Sequence, residues 1–435
     1  MQSLNINTRR ITLAFALVNF IYLQVVVASE ASTDDSSNEI IHRTELLTIE
    51  NAIERALEFA PKLQSAASRM DAAQGAQLQA SLLPNPELAF EAENFSGNDD
   101  FGGTNSAEYT LSFNQKIELG GKRDARKQVA QASYAVAQEG LSIERLNIIK
   151  DVHSAYVNVL ANMQSVKLAI EQEQLAKDIL ASVSKRVQSA AESEIQQSKA
   201  EVTVANSLIL REQTNQQLQI ARHNLAKLWG ESSFHESLNH QYLFQLDEPM
   251  AYEVYLERLN VLPDVQQFIH QKSQMDSLFD LAKTETIVDP VVSIGVRRFE
   301  EGSDNAFLVG VSVPLQIFNK NQGNIAKAQA ESLQAQSDAQ QFELNLKQAL
   351  FENWQTWKTA FMEAAHMKTK LIPAAEQSFH LAQSAYNRGR FTYLEVLDAQ
   401  RTLIEARNQY LSTLKNYHAA RTNVKRLTNS FGEQG

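Results

Sequence analysis

Four short stretches of this chain alternate apolar and polar residues with a period of two, and they are arranged as two pairs. In each stretch the apolar side chains share one face, while the other face is largely polar. The apolar positions are Leu88, Phe90, Ala92, Tyr109, Leu111, Phe113, Ile117 and Leu119 in the first pair, and Val292, Ile294, Val296, Phe307, Val309, Val311, Val313 and Leu315 in the second. This pattern predicts four β-strands, which form hairpins over residues 86–118 and 290–317.

Very long helices are predicted after each strand pair. Residues 122–229 contain no proline and one glycine, and strong helix formers dominate their composition. The apolar pattern lapses at residues 189–193, which predicts a turn between a helix of about 65 residues, roughly 100 Å long, and a second helix. The second half repeats this arrangement over residues 324–388 and 392–428. Pro373 is expected to kink the longer helix there.

Shorter elements are expected outside these segments. Thr48 has the side chain of a helix N-cap, and Pro61 is expected to interrupt or end the helix that follows it. A second helical stretch is expected to reach about Leu83. Residues 231–262 are more mixed in composition and contain Pro249. We interpret them as a connector that packs outside the helices.

The two halves of the chain share an order of motifs, about 200 residues apart. Ser112 in LSFNQKIELGGKR corresponds to Ser312 in VSVPLQIFNKNQG, and NLAKLWG at residues 224–230 corresponds to NVKRLTN at residues 423–429. Long helices share composition whatever their origin, but agreement at several separate points favours a true repeat. The prediction is a first repeat over residues 44–230, the connector over 231–262, a second repeat over 263–429 and a tail over 430–435.

The N-terminus has the features of a secretory signal. Two arginines precede an apolar stretch over residues 11–27, and compact residues lead up to position 28. We interpret residues 1–28 as a signal peptide and the Ser/Asp-rich residues 29–43 as a disordered segment. The alternative is an N-terminal membrane anchor. The chain has no cysteine, which excludes disulfides, thiolate metal sites and an acylated N-terminal cysteine.

Residues that suggest chemistry have simpler explanations. His235 and His240 flank Glu236, but histidines five residues apart lie about 140° from each other on a helix, unlike those of a zinc-protease helix. The GGKR sequence at residues 120–123 lacks the first glycine and the hydroxyl residue of a phosphate loop, and a tight turn explains it better. No metal site, cofactor or enzymatic activity is predicted. The formal net charge of -11 argues against a nucleic-acid partner.

The predicted strands have the length of transmembrane β-strands, about ten residues. Two hairpins cannot close a barrel alone, and open sheet edges are not tolerated in lipid. Either the strands close by oligomerisation around a wet lumen, or the hairpins are soluble caps on a coiled coil. The strand pattern alone leaves both open, and the signal peptide and the repeat favour the membrane.

Five motifs resemble those of TolC-type outer-membrane factors, and together they extend over nearly the whole mature length. They are LLTIENAIERALEFAPKLQ, LLPNPELAF, QKIELGGKRDAR, VPLQIFNKNQGNIAKA and AYNRGRFTYLEVLDAQRTLIEARNQY. The last of them is the most specific. GGKR and FNKNQGNI are most similar to the CzcC-like subgroup, which serves heavy-metal pumps of the resistance-nodulation-division class.

The resemblance implies an α+β membrane protein with a TolC-like fold. Each protomer of a homotrimer would give four strands to a shared twelve-stranded β-barrel in the outer membrane of a Gram-negative bacterium. Its long helices would form a coiled-coil tunnel in the periplasm. The helical tips at residues 189–193 and 388–392 would form the tunnel entrance and contact a periplasmic adaptor (membrane fusion) protein, which links the channel to an inner-membrane pump.

The resemblance also assigns roles to residues at the tips. Glu395 and Asp398 match an acidic ring at the tunnel entrance, where three copies would favour cations; a solvated acidic helix start is the alternative. Tyr386 matches a gate tyrosine, whereas Phe391 and Gln196 replace the arginine and the aspartate of a charged gate pair. The closed entrance must therefore be held in a different way. The other positions expected at the gate and the adaptor contact are Ala190, Ala191, Gly389 and Arg390.

The expected function is a passive exit duct of a tripartite efflux pump for heavy-metal cations. A duct for drug efflux or for type I protein secretion uses the same fold. A soluble periplasmic coiled-coil scaffold is the alternative from another functional class. The inner-membrane pump normally selects the substrate, so the substrate is not determined by this chain.

Overall fold

The computed structural model describes residues 46–234 and 236–432. The predicted signal peptide over residues 1–28, the segment 29–43 and His235 lie outside the described residues. Within the described ranges, no helix combines the length and the apolar character needed to cross a membrane.

Long α-helices make up most of this part of the chain. The helices are α1 (Ile49–Phe59), α2 (Pro61–Ala80), α3 (Lys122–Gln188), α4 (Glu194–Ala226), α5 (Tyr252–Glu257), α6 (Pro263–Thr284), α7 (Gln322–His366), α8 (Ile372–Asn387) and α9 (Tyr393–Leu427). The strands are β1 (Leu46–Leu47), β2 (Glu87–Glu93), β3 (Glu108–Lys116), β4 (Ser237–Leu238), β5 (Val291–Phe299) and β6 (Asn305–Ser312).

The long helix predicted for the first half is confirmed. α3 runs for 67 residues without interruption, and α4 follows a turn at the residues where the apolar pattern lapses. In the second half, where a kink at Pro373 is predicted, a π-helical turn over Met367–Leu371 separates α7 from α8. A proline inside a helix lacks an N–H donor and collides with the carbonyl four residues earlier. The wider turn just before Pro373 accommodates the ring.

The first two helices begin and end at the residues that control their termini. The Thr48 hydroxyl accepts a backbone N–H of the first turn of α1 at 3.3 Å, as predicted for an N-cap. Pro61 is the first residue of α2, a position where its missing N–H has no cost. α2 ends at Ala80 and does not reach Leu83, since Ser81 Oγ donates to a carbonyl of the last turn (2.7 Å) and closes it.

Strands β2, β3, β5 and β6 form one sheet in that order, and all neighbours are antiparallel. Both predicted hairpins are present. In addition, β3 pairs with β5 along its full length, from Glu108 opposite Phe299 to Lys116 opposite Val291. The two halves of the chain therefore share one sheet, and its two edges are β2 and β6.

The strands are shorter than their alternation predicts, with 7 to 9 residues each. β3 ends at Lys116 although Ile117 and Leu119 continue its apolar parity. β6 ends at Ser312 although Val313 and Leu315 do the same. The alternation shows which face of a strand is apolar, but a strand ends where its hydrogen-bonded partner ends. The predicted strand lengths were therefore wrong.

The connector packs against α3 and α9 and is partly buried. β4 pairs in parallel with β1, and Leu243 is almost fully buried in the main apolar core. The Tyr156 hydroxyl on α3 donates to the carbonyl of Leu47 (2.8 Å) and accepts the N–H of Asn239 (3.1 Å). The connector and the start of α1 are thus held to the middle of α3.

A stack of aromatic rings adds to this attachment. Tyr242 lies against His153 of α3 and His418 of α9, with ring centroids 6.5 and 5.4 Å apart. His418 Nε2 lies 3.0 Å from the carbonyl oxygen of Leu243, and His153 Nδ1 lies 3.1 Å from the Tyr242 hydroxyl. Burial lowers the pKa of His153 to about 3 and that of His418 to about 4. Both rings are therefore neutral at neutral pH.

Candidate functional site

The strand register separates the sheet into an apolar face and a polar face. Paired residues such as Phe90 and Leu111, or Ile294 and Val309, lie side by side on the apolar face. This face is open to its surroundings, since Phe307 is 90% exposed and Val309 is 81% exposed. Its other members are Leu88, Ala92, Tyr109, Phe113, Val292, Val296 and Val311. Such a face suits contact with lipid.

The opposite face carries charged side chains from three strands. Arg297 of β5 lies 2.8 Å from Glu108 and 3.1 Å from Glu93, and its Nε donates to Thr110 Oγ1 at 2.9 Å. The remaining charged members of this face are Glu87, Glu91 and Lys116. Charged groups of both signs on one face of a sheet suit a wet lumen, opposite to the apolar face.

A buried ion pair joins the two halves where the strands lead into the helices. Lys122 Nζ lies 2.7 Å from Asp289 Oδ1, and their side chains are only 5% and 7% exposed. The N–H of Leu119 also donates to Asp289 (3.0 Å). Breaking a buried ion pair costs several kcal/mol, about 3–5. Because Lys122 begins α3 and Asp289 precedes β5, the pair fixes the direction in which α3 leaves the sheet.

The GGKR sequence forms the tight turn predicted for it. Gly120 and Gly121 have φ of 72° and 74° between β3 and α3. A Cβ on Gly120 would lie 2.5 Å from the side chain of Ile287. Only glycine meets both demands at this position.

The far ends of α3 and α8 close in the same backbone turn. In each case one N–H bonds three residues back and the next N–H bonds five residues back, which is a Schellman motif. The bonds are Ala190 to Val187 (2.9 Å), Ala191 to Arg186 (2.8 Å), Gly389 to Tyr386 (2.8 Å) and Arg390 to Ala385 (2.9 Å). The positive φ predicted for Gly389 is confirmed at 73°, and Ala190 adopts the same conformation at 55°.

The structure gathers most of the predicted entrance residues at these two turns. Ala190, Ala191, Gly389, Arg390 and Phe391 are all exposed there. Tyr386, by contrast, is only 2% exposed and packs against Tyr393, with ring centroids 6.3 Å apart.

Arg186 is a tip residue that sequence reasoning missed. Its guanidinium lies over the Tyr386 ring at 4.7 Å, and its Nη1 donates to the Tyr386 carbonyl at 3.0 Å. Glu192 lies 3.7 Å from Arg186 Nε. The equivalent bonds of the two turns pair Arg186 with Ala385 and Val187 with Tyr386, so the repeat carried no signal that could have identified it. The contact joins the two helical hairpins through a cation–π interaction and a hydrogen bond.

Glu395 and Asp398 both lie at the start of α9 but make different contacts. Glu395 Oε2 accepts the Thr392 N–H (2.7 Å) and the Thr392 side chain accepts the Glu395 N–H, which together form a capping box. The Thr392 hydroxyl also donates to Glu395 Oε2 at 3.0 Å. Asp398 lies 3.0 Å from Arg401, and both of these side chains are 70% exposed. Asp398 also borders an open groove of about 580 Å³ between α3, α4 and α9. In residues 46–234 and 236–432, no three His, Asp or Glu side chains are grouped to hold a metal ion.

A second arginine joins the hairpins further from the tips. Arg407 of α9 lies 3.0 Å from Glu171 of α3 and 2.8 Å from Glu376 of α8. The sequence does not predict this bridge, because its three members are brought together only by helix packing.

Comparisons with known proteins identify the family. The family model described as outer membrane efflux protein matches residues 52–231 and 282–430. The cobalt-zinc-cadmium resistance protein CzcC of Cupriavidus metallidurans is 32% identical over 381 residues, which cover 88% of this chain and 90% of CzcC. The crystal structure of CusC superposes with a TM-score of 0.74 at 16% identity, covering 87% of this chain and 91% of CusC. The Campylobacter jejuni CmeC outer membrane channel gives 0.71 at 15% identity, with coverage of 87% and 85%. The chain therefore belongs to the outer membrane efflux protein family, whose members are the outer-membrane channels of efflux pumps.

Proposed function

We propose that this chain is the outer-membrane duct of a tripartite resistance-nodulation-division pump that exports heavy-metal cations. The observation that carries the substrate class is its similarity to CzcC, a cobalt-zinc-cadmium resistance protein, over 88% of the chain. The duct is passive and performs no covalent step, so we assign it no catalytic residue and no cofactor.

The two faces of the sheet support a conduit through the outer membrane. The apolar face suits lipid, and the charged face suits water and ions. β2 and β6 are unpaired edges within one chain, and unpaired backbone groups are costly in hydrocarbon. In a homotrimer, β6 of each protomer would pair with β2 of the next, which closes a barrel of about twelve strands.

The helices support a long extension into the periplasm. α3 begins at the sheet and ends at the first tip, and its 67 residues correspond to about 100 Å at 1.5 Å per residue. We place the contact with the periplasmic adaptor at the two tips, and through it the functional link to the inner-membrane pump. The proposed organisation is two repeats over residues 44–230 and 263–429, joined by the connector.

A deletion strain tests this function directly. Its growth is measured on cobalt, zinc, cadmium, nickel and copper salts, together with its cellular metal content. We expect lower tolerance and higher metal content for at least one divalent metal, both restored by a plasmid copy of the wild-type gene.

Further measurements on the same strains separate the duct for heavy metals from the other candidate functions. Sensitivity to dyes and antibiotics with normal metal tolerance would indicate a drug duct. Loss of a protein from the culture medium would indicate type I secretion. Recovery of the chain from the periplasm without detergent would indicate a soluble scaffold.

A further inference from the structure

The open edge of β6 can be assigned residue by residue from the hydrogen bonds of the sheet. In an antiparallel pair, successive residues direct their N–H and C=O groups to opposite sides of the strand. The Phe299 N–H donates to the Asp304 carbonyl at 2.9 Å, and with the register of β5 and β6 this places the even-numbered residues of β6 in the bonded pairs. The odd-numbered residues, from Asn305 to Val311, therefore direct their backbone groups to the open side.

The same alternation continues past Ser312, the last residue of β6. Val313 and Leu315 keep the odd parity, and their side chains are 46% and 78% exposed. Pro314 has the even parity, so the N–H that it lacks would be directed to the side of β5, which begins at Val291 opposite Ser312. The proline therefore ends the pairing with β5 and leaves the donors of the open edge intact.

The open edge of β2 follows from the same reasoning. The Ile117 N–H donates to the Pro290 carbonyl at 2.9 Å, so odd-numbered residues of β3 bond to β5 and even-numbered residues bond to β2. On β2, the backbone groups of Leu88, Phe90 and Ala92 therefore face the open side. Their side chains lie on the apolar face, as do those of the odd-numbered residues of β6. Two protomers can thus join these edges with one continuous apolar face.

The chirality of the chain sets the direction in which such a contact is staggered. Viewed from the apolar face with the helices below, an L-residue on a rising strand whose side chain points to the viewer directs its N–H and C=O to the right. β2 rises in this view, so its open edge lies on the right and that of β6 on the left. The native twist makes the strands of a barrel lean from lower left to upper right. A line along the hydrogen bonds therefore climbs from β2 toward β6 and meets the next protomer higher up its β2.

The size of the stagger follows from the geometry of a twelve-stranded barrel. With strands about 4.7 Å apart, a rise of about 3.3 Å per residue and a tilt of about 35–45°, four strands accumulate a stagger of about 4–6 residues. Glu87 and Gly310 lie in one row of the sheet. Because only even shifts keep the apolar side chains on one face, Gly310 lies level with Glu91 or Glu93 of the next protomer.

We propose that β6 is longer in the trimer than in the single chain, because residues 313–315 pair with the start of β2 of the neighbouring protomer. Val313 then lies opposite Leu88 or Phe90 of that protomer, and Leu315 lies opposite Pro86 or Leu88. The proposal rests on the trimeric barrel of the proposed function and specifies the contact between its protomers. The pairing satisfies backbone groups that hydrocarbon does not tolerate. It also explains why the apolar alternation continues beyond the pairing of β6 with β5.

Disulfide scanning in the full-length protein tests this register. The chain has no native cysteine, and Ser312→Cys is combined in turn with Ala89→Cys, Glu91→Cys and Asn85→Cys. The first two partners lie opposite Ser312 for shifts of about four and about six residues, and Asn85 lies opposite it without a stagger. All three are non-hydrogen-bonded pairs, in which the side chains come closest. After oxidation in isolated outer membranes, we expect about ten-fold more disulfide-linked trimer with Ala89→Cys or Glu91→Cys than with Asn85→Cys.

Proline variants test the longer strand itself. Val313→Pro removes an N–H that faces the neighbouring protomer, whereas Val313→Ala shortens the same side chain and keeps the donor. Pro314→Ala adds an N–H on the opposite side of the strand. We expect Val313→Pro to lower the temperature at which the trimer dissociates in detergent well below that of Val313→Ala, and Pro314→Ala to leave it at the wild-type value.

A pair within one chain controls the oxidation. Val292→Cys and Val311→Cys face each other on β5 and β6, so they should lose their free thiols without linking protomers. If Asn85→Cys gives the most linked trimer, or if Val313→Pro dissociates like Val313→Ala, β6 is not extended and the proposal is wrong, while the duct stands. If the control pair closes and none of the Ser312→Cys pairs links protomers, the two edges are not neighbours, and the proposed duct itself fails.

Discussion

Ala190 and Gly389 occupy equivalent turns in the two tips, but only the glycine does so without steric cost. Both residues adopt the left-handed backbone conformation, with φ of 55° and 73°. A residue with a Cβ is destabilised by about 1–2 kcal/mol in this conformation, so Ala190 adds strain to the first tip that Gly389 does not add to the second. Equivalent backbone geometry in the two halves is thus built from unequal residues.

Opposite substitutions at these two residues should have opposite effects. Ala190→Gly should stabilise the first tip by about 1 kcal/mol, which slows amide exchange there about five-fold. Gly389→Val should destabilise the second tip and reduce metal resistance, while trimer assembly persists. Hydrogen exchange by mass spectrometry and metal tolerance measure the two effects. The control is Gly75→Val, since nothing lies within 4 Å of a Cβ at Gly75. Full metal resistance in Gly389→Val would show that the adaptor does not use this tip.

We propose that Arg186 takes the place, within one chain, of the charged gate pair that is missing at Phe391 and Gln196. Its stacking on Tyr386 and its hydrogen bond to the Tyr386 carbonyl are together worth about 1–2 kcal/mol. Arg186→Gln should therefore loosen the contact between the hairpins and raise the open probability of the channel in bilayers about ten-fold. Lys185→Gln removes the same charge from the neighbouring exposed position and should leave gating unchanged. Equal gating in the two variants would remove Arg186 from the closing contact.

At the scale of elements, helices were easier to predict than strands. α3 followed from the near absence of proline and glycine in the sequence, which is a local property. The pairing of β3 with β5 did not follow, because it joins strands far apart in sequence and depends on how the halves meet. The sequence did not predict the Arg186–Tyr386 contact or the Arg407 bridge for the same reason. A turn such as that at Gly389 is local, and it was predicted correctly.

The connector should lose stability as the pH falls, through His153 and His418. The folded protein keeps both rings neutral, with pKa values of about 3 and about 4, against 6.5 as the reference value. Below pH 6.5 the unfolded chain binds more protons than the folded chain, so stability is complete above that pH and declines toward pH 4. Each histidine should lower the free energy of unfolding by about 2 kcal/mol between pH 6.5 and 5.

Urea unfolding followed by tryptophan fluorescence at a series of pH values measures the slope of the free energy of unfolding against pH. His418→Gln should flatten it by about one proton's contribution over this range. His240→Gln alters an exposed histidine of the same connector and should leave the slope as it is. If His418→Gln and His240→Gln behave alike, the buried rings do not control the acid response.

At the scale of the whole molecule, the open edges of the sheet predict a trimer. β2 and β6 carry unpaired backbone groups within one chain, and hydrocarbon does not tolerate them. Because the chain has no native cysteine, pairs of cysteines introduced on β2 and β6 can form disulfides only with each other. We expect oxidation to give a covalent trimer on denaturing gels for at least one pair. Matched pairs on β3 and β6, which are not neighbours in the sheet, should stay monomeric. A monodisperse detergent-solubilised monomer with full strand content would contradict the trimer.

The acidic pair at the start of α9 acquires its proposed role only in the assembled trimer. Three copies of Glu395 and Asp398 would place about six carboxylates around one constriction, where their fields add and attract cations. Glu395→Gln with Asp398→Asn should lower cation selectivity in bilayer recordings and weaken block by divalent metals. Folding should change little, because glutamine retains the capping box with Thr392 and Asp398 is highly exposed.

Arg401 lies 3.0 Å from Asp398 and offsets part of its charge, so Arg401→Gln should raise cation selectivity. The control is Glu343→Gln with Glu352→Gln, which removes two exposed carboxylates from α7, away from the start of α9. If selectivity stays unchanged and only the start of α9 becomes less stable, the pair serves the helix terminus, and the ring must be sought at other residues.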